Sequence, residues 1–133
     1  RGCGFIGCSR WYLTSPVGVE DQEWFVNGVA SLGAEISARD LLVGLLAIEA
    51  GMGRVRTEKW GPRVIDLDLL LYGSDIIDET ALKLPHPYMH VRRFVLAPLA
   101  EVAPDVIHPV LGKTASQILL ELRGEDQQVT LLE

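Results

Sequence analysis

Residues 60–72 read Trp60-Gly-Pro-Arg-Val-Ile-Asp-Leu-Asp-Leu-Leu-Leu-Tyr72, and this stretch decides how the rest of the chain is interpreted. Side chains alternate between two faces of an extended strand, so the pattern predicts a strand over 64–72 with Asp66 and Asp68 on one face and an apolar opposite face. The two carboxylates are then about 7 Å apart. Such close like charges require cations, and carboxylate oxygens suit Mg²⁺, which completes its shell with water and phosphate.

A basic segment leads into these carboxylates. It contains four cations, Arg54, Arg56, Lys59 and Arg63, against the single acid Glu58. Together with the turn expected at 61–62, cations followed by carboxylates predict a polyphosphate site beneath a mobile basic loop. The alternative is an ordinary amphipathic strand whose carboxylates are simply solvated.

Composition restricts the class of protein. The chain has 133 residues, of which 48% are hydrophobic, and this predicts one compact domain over 1–133. A net charge of −6 argues against broad attraction to nucleic acid or to an anionic membrane. Cys3 and Cys8 belong to no Cys/His cluster with metal-ligand spacing, which favours a reducing, cytoplasmic location. No apolar run approaches the roughly 20 residues of a membrane span.

The remaining pattern predicts strands and helices. Strands are expected over 8–14, 24–36 and 129–132, with a hairpin or edge piece after 73 and an irregular segment over 84–94. Helices are expected from Ser37 to the glycines at 51 and 53, over 95–102, and after the capping motif Thr114-x-x-Gln117.

Two glycine patterns resemble phosphate-binding loops but lack the required context. Gly2, Gly4 and Gly7 spell G-x-G-x-x-G with no strand before it, so we expect a flexible terminus or loop. The run 112–114 reads Gly-Lys-Thr but has Ile107 where a phosphate-binding loop requires glycine.

Several further side chains are candidates for binding. Phe25 beside Asn27 suits a planar heterocycle, although Asn27 could equally satisfy a backbone group. His86 and Arg92 are donors suited to phosphate, and Phe94 offers a second aromatic wall, while a lone loop histidine is more often structural. Glu49 leans toward the apolar stripe of its helix and is either a ligand or a solvent-facing edge residue; we count it among the substrate-binding candidates.

Over about residues 9–117 the chain resembles the 6-hydroxymethyl-7,8-dihydropterin pyrophosphokinases of folate biosynthesis. The motifs that carry the resemblance are Thr14-Ser-Pro-Val-Gly18, Glu20-Asp-Gln22 with Phe25 and Asn27, Gly53-Arg-Val-Arg56, Trp60-Gly-Pro-Arg-x-x-Asp-Leu-Asp68, and Pro85-His86 with Arg92 and Phe94.

The resemblance implies a ferredoxin-like α+β fold with an antiparallel-rich sheet. It also implies transfer of the β,γ-pyrophosphate of ATP to the hydroxymethyl group of the pterin, with release of AMP. Two Mg²⁺ ions would be held by Asp66 and Asp68. The implied partners are these small molecules, with no nucleic acid and no membrane, in a family whose members are monomers.

The resemblance further implies residue roles. Arg54 and Arg63 would be catalytic arginines of the basic loop. Trp60, Arg56, His86 and Arg92 would contact the nucleotide. The pterin would be bound by Thr14, Val17 and Asn27 through hydrogen bonds and by Phe25 and Phe94 through stacking.

The chain departs from the family pattern at its start. Family members begin with a strand, a Gly-Ser-Asn loop and a helix, and none of these precedes Trp11 here. We therefore expect a truncated domain with uncovered apolar surface, which a swapped or oligomeric assembly would cover. The basic loop is also one residue shorter than in some members, and Pro87 replaces an aromatic residue.

Two other classes remain open from the residues alone. One is a metal-dependent phosphodiesterase or nuclease that uses Asp66 and Asp68 and needs no ATP. The other is an inactive remnant that binds pterin or nucleotide without forming AMP.

Overall fold

The computed structural model describes residues 3–14, 25–55, 66–122 and 129–131, and all structural statements below refer to them. Its strands are β1 (Cys3–Cys8), β2 (Tyr12–Thr14), β3 (Phe25–Asn27), β4 (Ala30–Ala34), β5 (Ile77–Asp78), β6 (Lys83–Leu84) and β7 (Val129–Leu131). Its helices are α1 (Ala38–Val55), α2 (Arg93–Val102) and α3 (Ala115–Glu121), with a short 3₁₀ turn at Met89–Val91.

The strands pair in three antiparallel groups. β1 pairs with β4, β2 lies between β3 and β7, and β5 forms a hairpin with β6. The predicted mixed α+β class with antiparallel pairing is confirmed, and so is the terminal strand, as β7. No helix in the described ranges is long and apolar enough to cross a membrane.

The glycine-rich start was predicted as a flexible loop, and this prediction is wrong. Residues 3–8 form β1, in which Gly4 lies opposite Gly33 and a bulge falls between Phe5 and Gly7. Pairing with a distant strand supplies the backbone hydrogen bonds, so tertiary context outweighs the low strand propensity of glycine.

The strands predicted over 8–14 and 24–36 are each interrupted in the structure. Ser9 and Val29 mark the breaks: the Ser9 N–H donates to the Val29 carbonyl at 2.8 Å, and the Val29 N–H donates to Ser9 Oγ at 3.0 Å. Beyond this clamp both chain segments change sheets, from the β1–β4 pair to the sheet that contains β2 and β3. Residue 24 lies outside the described residues.

The predicted strand over 64–72 is also absent from the part that is described, 66–72. Its backbone groups bond to scattered partners: the Leu70 carbonyl accepts from the His86 N–H at 2.9 Å, and the Leu67 N–H donates to a carboxylate of α1 at 2.7 Å. With such bonds the segment does not take part in a ladder. The predicted single apolar face is likewise wrong, because the segment packs against both clusters of the core.

Those two clusters lie on either side of the segment. The larger is built on Met89, Leu96, Leu99, Ala115 and Ile118, with Leu70 and Leu71 packed against it. The smaller is built on Ala38, Leu82 and Leu84, with Leu69 and Tyr72 packed against it.

Helix starts follow the sequence prediction more closely than helix ends. The Oγ of Ser37 accepts a hydrogen bond from the Asp40 N–H at 3.1 Å and opens α1. The predicted end at the glycines is wrong, since α1 continues through Gly51 and Gly53 to Val55. A glycine inside a helix costs only about 1 kcal/mol relative to alanine, which does not stop a helix that continues on both sides.

The C-terminal half agrees with the prediction. Gly73 has a positive φ of 55° in the turn before the β5–β6 hairpin. α2 forms despite the internal Pro98, and Thr114 with Gln117 makes a complete capping box at the start of α3. The segment over 84–94 is mostly irregular apart from the 3₁₀ turn.

Candidate active site

A cleft of about 490 Å³ lies between α1, the segment over 66–72 and the β5–β6 hairpin. α1 contributes Leu42, Leu46 and Glu49. The other walls are formed by Asp66, Leu67, Asp68, Leu69, Thr80, Ala81, Leu82, Lys83, His86 and Pro87.

One end of the cleft collects three carboxylates. Asp66 and Asp68 are exposed, and Leu67 between them is half-buried, so the predicted alternation holds locally even without a strand. The carboxylate of Glu49 joins them because its Oε2 accepts the Leu67 N–H at 2.7 Å. A helix side chain and the Asp segment are thereby held in one negatively charged wall.

This donor set fits Mg²⁺. Within the described residues no three His, Cys, Asp or Glu side chains are arranged so that they could hold a metal unaided. Mg²⁺ commonly takes only one or two protein carboxylates and completes its octahedron with water and substrate phosphate. Asp66 and Asp68, as exposed hard oxygen donors in a cleft, have the chemistry for that mode.

Leucine side chains also line the cleft. Leu42 and Leu46 come from one face of α1, and Leu69 and the buried Leu82 come from the other walls. Because Leu42 and Leu69 pack against the smaller core cluster that contains Leu82, they give the cleft an apolar wall.

His86 stands at the rim beside the carboxylates. Its N–H donates to the Leu70 carbonyl at 2.9 Å, and its Nδ1 accepts the Tyr88 N–H at 3.3 Å. Burial lowers the pKa of His86, Arg92 lowers it further, and Asp68 opposes both effects. The ring is therefore neutral near pH 7, and because Nδ1 is an acceptor its proton is on Nε2, available to a phosphate oxygen.

Arg92 is held between two aromatic rings. Its guanidinium carbon is 5.2 Å from the Tyr88 centroid and 5.6 Å from the Phe94 centroid. Cation–π contact of this kind limits the positions the guanidinium can reach. Phe94 is thus in contact with Arg92. The predicted stacking of Phe94 on a pterin and the predicted contact of Arg92 with the nucleotide stay predictions.

Thr14 and Asn27 are brought together on neighbouring strands. Asn27 Nδ2 donates to Thr14 Oγ1 at 2.9 Å, and Thr14 is 1% exposed. Among the described residues, the side-chain amide of Asn27 therefore has a side-chain partner. Thr14 lies opposite Phe25 in the β2–β3 register.

Several predicted site residues cannot be compared with the structure. Arg54 is placed only through the backbone of the last turn of α1, and Phe25 only through the backbone of β3. Val17, Arg56, Trp60 and Arg63 lie outside the described residues, as does most of the predicted basic loop.

Sequence reasoning missed some of the lining residues. Leu42 and Leu46 share a helix face with Glu49, which was predicted as a substrate-binding residue, so a signal for them was present on α1. Residues 80–83 carry no motif, and only the folded hairpin brings them to the cleft. Tyr88, which contacts Arg92, was not predicted either.

The fold and cleft define a class: a mixed α+β protein with a cleft lined by carboxylates and leucines. The family model described as 7,8-dihydro-6-hydroxymethylpterin-pyrophosphokinase (HPPK) matches residues 3–104. The chain belongs to this family, as its sequence motifs predicted.

Relatives from three bacteria agree with this assignment, and each is named 2-amino-4-hydroxy-6-hydroxymethyldihydropteridine pyrophosphokinase. The Synechocystis protein is 46% identical over 112 residues, which are 84% of this chain and 57% of that protein. The Pseudomonas aeruginosa protein is 49% identical over 104 residues, 78% of this chain and 64% of its own length. The Haemophilus influenzae protein is 46% identical over 117 residues, 88% of this chain and 70% of its own length. The chain thus spans about six tenths of the first two relatives.

Proposed function

We propose that the chain transfers pyrophosphate from ATP to the hydroxymethyl group of 6-hydroxymethyl-7,8-dihydropterin, releasing AMP, in folate biosynthesis. The observation that carries the proposal is the cleft whose lining combines the carboxylates of Glu49, Asp66 and Asp68 with an apolar wall of leucines. Family membership supplies the identity of the two substrates.

In this proposal ATP lies in the cleft with its adenine against the leucine-lined wall and its triphosphate at the carboxylates of Asp66 and Asp68. Asp66 and Asp68 would hold two Mg²⁺ there, and bound Mg²⁺ neutralises charge on the phosphate oxygens. The neutral His86 donates its Nε2–H to a phosphate oxygen, and Arg92, held by Tyr88 and Phe94, adds a fixed positive charge.

The transfer needs position and charge more than a protein nucleophile. The pterin hydroxyl oxygen forms a bond to the β-phosphorus while the bond from that phosphorus to the bridging oxygen of the α-phosphate breaks. The bonding electron pair leaves with AMP, and a cleft carboxylate takes the hydroxyl proton. Arg54 and Arg63 stabilise the charge on the transferred group, with Arg56 and Trp60 beside the nucleotide.

The acceptor lies on the sheet that carries β2 and β3. Thr14 and Asn27 provide polar groups already aligned by their mutual hydrogen bond. Val17 adds a backbone contact, and Phe25 and Phe94 enclose the ring. We also place this chemistry in the cytoplasm, which the absence of a Cys/His cluster with metal-ligand spacing in the sequence favours. It acts on two small molecules without nucleic acid, and the net charge of −6 supports this last point.

The deciding experiment measures AMP release with Mg-ATP and hydroxymethyl-dihydropterin together, and with each omitted. We expect AMP only when both are present, and none after EDTA until Mg²⁺ is restored. AMP formation without pterin would instead indicate hydrolysis of the phosphodiesterase type, and binding without AMP would indicate an inactive remnant.

Asp68→Asn tests the carboxylate end of the cleft. We expect turnover to fall on the order of 100-fold or more, because the amide keeps the size of the side chain but loses the charge that holds the metal. Asp75→Asn is the matched control, since Asp75 is an exposed carboxylate in the following turn that does not line the cleft. Near-normal turnover of Asp68→Asn would overturn the metal assignment.

A further inference from the structure

The sequence contains three histidines, and all of them line a second cavity of about 360 Å³. They are His86, His90 and His108. His86 and Pro87 also line the cleft described above, so the segment that carries them is a wall shared by the two cavities. A change in the second cavity can therefore reach the proposed nucleotide side of the cleft through this shared segment.

Nearly every polar group of His108 forms a hydrogen bond. Its N–H donates to the Lys113 carbonyl at 2.9 Å, and its carbonyl accepts the Gly112 N–H at 2.8 Å. Its Nδ1 accepts the N–H groups of Val110 at 3.3 Å and Leu111 at 3.2 Å. The residue is 5% exposed and closes the loop between Ile107 and Thr114, which are joined by an isolated bridge.

One polar atom of the His108 ring, Nε2, is still to be accounted for. With Nδ1 acting as an acceptor, the neutral ring carries its proton on Nε2. That Nε2 is buried and has no hydrogen-bond partner within the described part of the chain. The tautomer also argues against a metal here, because the nitrogen that faces no partner carries a proton instead of a free lone pair.

The ring that His108 meets is that of His90. Their centroids are 6.0 Å apart and their planes make an angle of 71°, an edge-on contact. His90 belongs to the 3₁₀ turn, whose first residue, Met89, is buried in the larger core cluster. The hydrogen-bonded loop of His108 thus contacts the middle residue of the 3₁₀ turn.

That turn connects the two nucleotide-side residues directly. The Met89 N–H donates to the His86 carbonyl at 3.3 Å, and the Arg92 N–H donates to the Met89 carbonyl at 3.4 Å. A displacement of the turn at His90 therefore moves His86 and Arg92 together.

We infer that His108 is a positioning residue for the nucleotide side of the cleft: through its edge contact with His90 it fixes the 3₁₀ turn and so places His86 and Arg92. The inference rests on the proposed function for its kinetic consequence, but its structural content does not depend on ATP.

The contact depends on pH. Burial lowers the pKa of His108, and His90 lowers it further. The other charged groups lining this cavity are Asp78 and Lys83, which pair with each other at 2.6 Å, and His86, whose pKa is also lowered. Because the pKa in the folded contact lies below the ordinary 6.5, the contact is fully present above that pH and is lost as the pH falls through the lowered value.

Two variants distinguish the effect of the His108 ring from the effect of its protonation. His108→Asn keeps an oxygen that can accept the Val110 and Leu111 N–H groups but removes the ring from His90. His108→Phe keeps a ring there but cannot be protonated. Lys113→Gln is the matched control, because it alters the same loop by removing only the exposed pair between Lys113 and Glu121.

We expect His108→Asn to raise the KM for ATP about 5-fold or more, with kcat and the KM for pterin nearly unchanged, because displaced His86 and Arg92 bind ATP less well in the ground state and the transition state alike. The wild type should show a rising KM for ATP as the pH falls below about 6.5 through the lowered pKa of His108, and His108→Phe should lose most of that rise. A purely structural role would lower the melting temperature without selecting ATP and without changing the pH profile.

A ligand-free measurement keeps the inference testable by itself. The ring C–H signals of His86, observed by NMR, should shift in His108→Asn and stay in place in Lys113→Gln. If the wild type forms no AMP, the proposed function fails while the His86 signals still decide this inference. Should His108→Asn fail to fold, His90→Asn removes the other ring and is expected to shift the same signals. Unchanged His86 signals in the folded variant would overturn the inference.

Discussion

Glu49 shows how one side chain links two parts of the cleft. Its carboxylate accepts the Leu67 N–H at 2.7 Å, and Leu67 lies between Asp66 and Asp68. The bond therefore positions the Asp pair relative to α1. The sequence suggested that Glu49 leans toward the apolar stripe of its helix, as either a ligand or a solvent-facing edge residue. The backbone group that it accepts from is 18 residues away, which no local pattern indicates.

Removal of that acceptor has a definite expected cost. We expect Glu49→Ala to lower the free energy of unfolding by about 1–3 kcal/mol, because the Leu67 N–H loses its charged partner, and to raise the KM for ATP. Urea denaturation and AMP kinetics measure the two effects. Glu49→Gln retains an acceptor oxygen and should recover much of the stability; equal stability of the alanine variant and the wild type would contradict the role.

Thr14 gives a second test at the same scale. Its Oγ1 accepts from Asn27 Nδ2 in a nearly inaccessible position. We expect Thr14→Val to cost about 1–3 kcal/mol of unfolding free energy, since the amide donor is left without its acceptor, and to weaken pterin binding. Thr14→Ser, which retains the hydroxyl, is the control, and calorimetric titration with pterin measures the binding. Unchanged pterin affinity in Thr14→Val would separate this pair from the acceptor site.

At the scale of elements, helix starts follow from neighbouring residues. Ser37 at α1 and Thr114 at α3 each accept an N–H three residues on, and such caps involve only adjacent parts of the chain. Short-range hydrogen bonds are therefore readable from sequence. The end of α1 could not be predicted in this way, because continuation through Gly51 and Gly53 depends on the helix propensity summed over the whole helix.

The capping box of α3 can be tested by itself. Thr114→Ala removes the oxygen that accepts the Gln117 N–H at 3.1 Å, and we expect a loss of about 1 kcal/mol in unfolding free energy. Thr114→Ser should restore most of it. Thermal melts followed by circular dichroism measure the change, and a wild-type melting temperature in Thr114→Ala would show that the box adds nothing.

At the scale of the whole molecule, Glu101 ties α2 to the start of the chain. Its carboxylate accepts from the Tyr12 hydroxyl at 2.7 Å and from Arg10 Nε at 2.9 Å, across about 90 residues of sequence. The Tyr12 hydrogen bond, followed by those from Arg10, lowers the pKa of Glu101. These bonds join a helix of the larger core cluster to the sheet that carries Thr14 and Asn27.

This lowered pKa sets a pH dependence. A carboxyl whose folded pKa is below its ordinary 4.5 stabilises the fold above that pH, and the contribution is lost as the pH falls through the folded value. We therefore expect Glu101→Gln to be less stable than the wild type near pH 7, with the difference vanishing in strong acid. Denaturation at a series of pH values measures it, with the exposed Glu121→Gln as control. A difference that persisted unchanged into strong acid would exclude this carboxylate as its source.

The sequence by itself determined the family, the helix starts, the hairpin after Gly73 and the pairing of Asp66 with Asp68 on one exposed side. These features depend on side-chain alternation, turn residues and bonds between close neighbours. The tertiary structure alone decided that the glycine-rich start is a strand, that two predicted strands break at Ser9 and Val29, and that the Asp segment lies between two core clusters outside any ladder. Each of these depends on contacts between residues far apart in the chain, such as Gly4 with Gly33, whose pairing energy outweighs local propensity.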